Sequence, residues 1–142
     1  MDLFHNIPGT PRLTQNSGRL AAQVRRMAQP PYLLDASRCS ATLQAIQDLC
    51  ARESWLLLAA HIRTTHVHVV VEADATPEWV MSSFKRVASR ASNGLGLDGE
   101  GRIRWARHGS TRYIWTKEQL SAAIRYTVNA QGQPLVVYEA AR

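Results

Sequence analysis

Lysine is scarce in this chain: of 17 basic residues only Lys85 and Lys117 are lysines, and the rest are arginines. A basic surface of that kind suits forked contacts to phosphate and stacking on bases better than an ammonium surface does. Cysteine is limited to Cys39 and Cys50, both in one predicted helix. Eleven helical residues separate two backbones by about 16 Å, beyond the reach of a disulfide. Both are expected as reduced packing residues, as in a cytoplasmic protein. Long apolar runs are absent, and none approaches the roughly 20 residues of a membrane helix. The opening M-D-L-F-H-N-I-P-G-T lacks a charged segment followed by an apolar one, so no secretory leader is expected. Acid is also short: 11 acidic residues against 17 basic leave a net charge of +6. With no lipid-anchoring pattern beside it, that charge points to a polyanion partner, nucleic acid before membrane. The length of 142 residues fits a single domain with a continuous core.

What is present divides into an N-terminal arm and helix over 1–31 and a domain over 32–142. Residues 1–16 hold Pro8, Gly9 and Pro11 and read as a loose arm. From Ser17 to about Gln29, Leu20, Val24 and Met27 recur at helical spacing, and Pro30-Pro31 stops that helix. Tyr32-Leu33-Leu34 is a strand candidate, followed by a helix capped by Asp35 or Ser37 with Leu43, Ile46, Leu49 and Cys50 as its stripe. Two strands follow, at about 54–62 and 65–73. Thr76-Pro77-Glu78 starts a helix with a cap, a first-turn proline and an acid. Val80, Phe84, Val87, Ala88 and Ala91 form its core face. Its opposite face, with Ser82, Lys85, Arg86, Ser89 and Arg90, suits a sugar-phosphate backbone or plain solvent. Asn93–Gly101 reads as a loop, and Arg102–Trp115 alternates strand-like residues with cations and aromatics. The last helix starts at Thr116 with Gln119 completing a capping box, and a short strand follows at 135–138. Strand-helix-strand-strand-helix-strand, then a helix, is the order of an α+β fold, a ferredoxin-like sandwich with a central antiparallel sheet.

Chemistry concentrates in W-L-L-L-A-A-H-I-R-T-T-H-V-H-V-V-V-E, residues 55–72. On a strand, His66 and His68 project from one face while Val67, Val69 and Val71 project from the other. Two imidazoles so placed can offer two nitrogens to one metal ion. In the last helix Leu120, Ala123, Ile124, Thr127 and Val128 make the core stripe. Tyr126 lies more than about 100° from the centre of that stripe, turned outward toward a partner or a substrate. Trp105, Tyr113 and Trp115, beside arginines, are candidates for stacking on unpaired bases, with core packing equally open for Trp115. Trp55 and Trp79 read as packing residues. His61 and His108 read as structural or DNA-facing.

Together, His66-Val67-His68 on a strand and Tyr126 in A-I-R-Y-T-V-N-A-Q-G on a later helix resemble the single-tyrosine HUH transposases, including the REP-associated tyrosine transposases. The segment W-A-R-H-G-S-T-R-Y-I-W is similar to the stretch before the tyrosine helix in some relatives, and the resemblance covers roughly 32–138. It implies a DNA transposase that nicks and joins single-stranded or hairpin DNA. The implied catalytic set is Tyr126, His66 and His68, with a divalent ion (Mg2+ or Mn2+) on His66, His68 and a third ligand. The tyrosine oxygen attacks the scissile phosphorus, leaving a 5′-phosphotyrosine and a free 3′-hydroxyl. Because phenols are mostly protonated at neutral pH, metal or arginine charge must help. The family often places its third ligand four residues after the tyrosine, and here that position is Ala130. Gln131 is the choice for that role if the helix unwinds before Gly132, with Asn129 and Glu72 as alternatives. Lys85, Arg86, Arg90, Arg104, Arg107 and Arg112 are the DNA-binding candidates. Relatives include monomers and homodimers that exchange the tyrosine helix. Ala130 also leaves open a non-catalytic, domesticated protein that binds hairpins or single strands.

Overall fold

The computed structural model describes residues 2–8 (as backbone), 32–99, 101–105, 109–129 and 136–141. The expected helix over 17–29, its Pro30-Pro31 stop, and Arg107, His108, Ala130, Gln131 and Gly132 lie outside them. The described elements run β1 (Asp2–Pro8), α1 (Ala36–Glu53), β2 (Leu56–Arg63), β3 (His66–Glu72), α2 (Pro77–Gly94), β4 (Ser110–Ile114), α3 (Lys117–Asn129) and β5 (Val136–Glu139). This is a mixed α+β architecture with the sheet order β4-β1-β3-β2-β5.

Local signals set most boundaries. Asp35 caps α1, its carboxylate accepting from the Arg38 N–H at 2.9 Å, and Ser54 closes the helix at φ 60°, its N–H donating to Cys50 O. Thr76 caps α2, with Pro77 in the first turn. Thr116 and Gln119 form the expected capping box at α3: Thr116 Oγ1 accepts from the Gln119 N–H at 3.1 Å, and Gln119 Oε1 accepts from the Thr116 N–H at 3.2 Å. Cys39 and Cys50 are free and buried, and burial pushes their thiols up to about 11 and about 12. Among the described residues no helix is long and apolar enough to cross a membrane.

Three expectations change. The first strand is Asp2–Pro8, inside the segment read as a loose arm, while residues 32–35 are not a strand. Tyr32 and Leu34 are buried there as core residues instead. The sheet is antiparallel through β3, β2 and β5, but β1 runs parallel to both β3 and β4. Side-chain alternation reports which face a residue takes and is silent on strand direction. Among the described residues of the alternating stretch 102–115 the strand covers Ser110–Ile114, and Arg104 is drawn instead into an ion-pair network described below.

Two apolar layers sandwich the sheet. Val67, Val69 and Val71 pack with Leu57, Ala60 and Ile62 against Ile46 and Leu49 of α1 and Val80, Phe84 and Val87 of α2. Trp55 meets Phe84 edge-on at 6.1 Å between ring centroids, as a packing residue should. On the other face Leu58, Ala59, Val70 and Ile114 pack against Ala123 and Ile124 of α3. A register shift between Leu57 and Ala59 lets β2 turn Leu58 and Ala59 toward α3. From there the normal alternation sends His61 and Arg63 to that face too.

Candidate active site

The turn Thr64-Thr65 joins β2 to β3, so Arg63 pairs with His66 and His61 with His68. Cross-strand partners share a face, and this one lies under α3. His66 and His68 stack at 5.9 Å between ring centroids with 22° between planes. That spacing suits one ion between two ring nitrogens, each about 2.1 Å from it.

The buried stripe Ala123, Ile124 and Thr127 seats α3 on the sheet. Tyr126, turned about 100° around the helix from the centre of that stripe, is 53 % exposed while its ring lies 6.3 Å from that of His68. The phenol is thus held beside the imidazole pair and still reachable by a macromolecule. Within one chain, the fold brings His66, His68 and Tyr126 together.

Electrostatics keep His68 ready to coordinate. Burial, then the neighbouring His66, His61 and Arg63, push His68 down to about 4, so at neutral pH its ring is uncharged and keeps a lone pair. His61 is fully buried, and burial is again the main reason its imidazole is held low, with Arg63 adding to it. The Thr127 and Val128 backbone partly offsets this. Neither His61 ring nitrogen has a hydrogen bond of good geometry.

The third ligand is less complete. Gln131 lies outside the described residues. Asn129 ends α3 on an exposed site. Glu72 is four residues beyond His68, about 13 Å along the strand, too far to share its ion. Among the described residues no three His, Cys, Asp or Glu side chains could hold a metal together.

The DNA-binding candidates divide by sheet face. Lys85, Arg86 and Arg90 belong to α2, on the face opposite the histidines, and Arg86 lies over the Trp79 ring at 5.7 Å. Trp79, expected in the core, is 55 % exposed. Arg104 requires a correction: its side chain is 6 % exposed and its Nη2 donates to Asp98 Oδ2 at 2.9 Å and Asn93 Oδ1 at 2.7 Å. Asp98 also binds Arg38 at 2.8 Å and the Tyr32 hydroxyl at 2.5 Å. A buried guanidinium committed to that carboxylate offers little to DNA. Burial alone would raise the Asp98 carboxyl, but hydrogen bonds from Tyr32, Arg38 and Arg104 outweigh it and hold it at about 2. Arg112 does share the histidine face. It stands two residues before Ile114, which packs under α3, and about 10 Å across the sheet from β3.

Two neighbours of the site were not among the sequence-derived candidates for it: His61 as a buried neighbour of His68, and Arg63. Their signal was H-I-R-T-T-H-V-H itself, since a two-residue turn pairs 63 with 66 and 61 with 68. Comparison with protein-family models, curated proteins and solved structures found no match to this chain.

Proposed function

We propose that this protein is a metal-dependent enzyme that nicks and joins single-stranded or hairpin DNA, a single-tyrosine HUH transposase built on a ferredoxin-like sandwich. The observation that carries this reading is the Tyr126 ring 6.3 Å from His68, on the face that also bears His66. The order β-α-β-β-α-β followed by the tyrosine helix agrees with that scaffold in sequence order, while the parallel pairing of β1 departs from it.

Tyr126 Oη forms a bond to the scissile phosphorus as the bond from phosphorus to the 3′ oxygen breaks. The phenolic proton is lost to solvent or a base, the leaving oxygen takes up a proton as a 3′-hydroxyl, and the 5′ end stays on the enzyme as a phosphodiester. Attack by another 3′-hydroxyl reverses the step and joins strands, so no high-energy cofactor is consumed. His66 and His68 are the residues that would hold Mg2+ or Mn2+, which when bound supplies neutralising charge at the phosphate oxygens. Imidazole prefers manganese to magnesium, so Mn2+ is the better probe. Arg63 and Arg112 bring fixed positive charge to the same face.

Incubation with Mn2+ and a pool of labelled hairpin oligonucleotides should yield a protein–DNA adduct that survives denaturing electrophoresis. Tyr126→Phe and EDTA should each abolish it. An adduct formed at the parent rate by Tyr126→Phe would overturn the assignment of nucleophile. The donor set of two imidazoles among the described residues favours, as a second reading, a protein that binds such strands without cutting. Hairpin binding indifferent to EDTA, with no cleavage across the pool, would select it.

A further inference from the structure

Trp115 is 59 % exposed, an unusual place for the side chain with the largest apolar area. It directly precedes the Thr116 cap of α3, where an apolar residue commonly folds onto the fourth helical position, here Leu120. The exposure leaves most of the indole unused for that purpose. Its backbone is nonetheless fixed: Gln119 Oε1 accepts from the Trp115 N–H at 2.8 Å. Tyr113 lies beside it, 6.4 Å between ring centroids. Arg112, Tyr113, Ile114, Trp115 and Gln119 line one cleft of about 240 Å³. That is below the roughly 300–1,000 Å³ of small-molecule pockets, and its open aromatic wall suits a flat group laid against it. Rings, a guanidinium and an amide, with no carboxylate among the lining residues, match a nucleobase and its phosphate.

Direction comes from α3. Lys117, Ser121 and Arg125 recur every four residues, are all exposed, and so form one row along the helix. The row starts beside the cleft and runs up the solvent side of α3, ending at Arg125, about 100° around the helix from Tyr126. Glu118 is the single acid on α3.

We propose that Trp115, backed by Tyr113, is a stacking platform for an unpaired base of a single strand whose phosphates follow Lys117 and Arg125 along α3. The platform rests on the single-strand reading above but not on cleavage. Its test therefore uses the full-length Tyr126→Phe protein in EDTA, where no cutting can occur. Anisotropy of a labelled oligothymidylate should show Trp115→Ala weakening binding by about 5- to 160-fold, the range of one base–aromatic stack. Trp115→Tyr should keep most of the affinity, and binding to a duplex should change little. Parent-like single-strand binding by Trp115→Ala would overturn the platform. So would a loss shared equally by single strand and duplex, or a loss that Trp115→Tyr does not restore. If adduct formation fails while Trp115-dependent binding persists, the cutting reading falls and the platform stands.

Discussion

His68 combines a half-buried ring with three nearby groups that are cationic or can become so, and each disfavours its protonation. An unfolded histidine takes up its proton near pH 6.5, while the folded one resists until about 4. Unfolding therefore takes up a proton between those values. Stability is at its full value above pH 6.5 and is lost as pH falls toward 4. The loss from His68 is about 2–3 kcal/mol, and His61, also held low, acts in the same direction. Urea midpoints should fall between pH 7 and pH 4.5, and His68→Gln should flatten the dependence. A midpoint independent of pH across this window would contradict the burial assigned to His68. Asp98 acts in a separate window: its depressed carboxyl contributes stability above pH 3.8 that is lost as pH falls toward about 2.

At the scale of elements, the loop after α2 is held by charge rather than by apolar packing. Asp98 receives Arg38 from α1 and Arg104 from the approach to β4, and Leu95 and Leu97 beside it are exposed. Removing one member of a buried ionic group costs more than forming it contributes, because the partners stay buried and uncompensated. Asp98→Asn should lower stability by about 3 kcal/mol, read as a drop in urea midpoint at unchanged slope. A change below about 0.5 kcal/mol would mean that Arg38 and Arg104 find water instead. The same network explains why cationic alternation over 102–105 does not produce a strand.

For the whole molecule, the sheet acts as a partition. The α1–α2 layer carries Lys85, Arg86 and Arg90, and the α3 layer carries Arg125 and Tyr126 above the histidines. With a net charge of +6, single-strand binding should weaken steeply with salt, each neutralised phosphate adding about 0.7 to the slope of log affinity against log salt. Arg112→Gln and Arg125→Gln should each reduce that slope by about 0.7, whereas Arg86→Gln and Arg90→Gln should leave it unchanged. The reverse pattern would put the strand on the α1–α2 layer, away from the imidazoles.

The sequence by itself determined what is decided within a few residues. Caps at Thr76 and Thr116, the alternation of His66 and His68 against Val67, Val69 and Val71, and the outward turn of Tyr126 all follow from local geometry, and the structure has each of them, with Asp35 chosen over Ser37 as the cap of α1. Only the tertiary structure decided that Asp2–Pro8 supplies the first strand and runs parallel to its neighbours, that Arg104 is buried on Asp98, and that α2's cations and the histidines lie on opposite faces. The reason is physical: periodicity records which side of an element faces the core, while strand partners, strand direction and charge pairing are set by contacts between residues far apart in the chain.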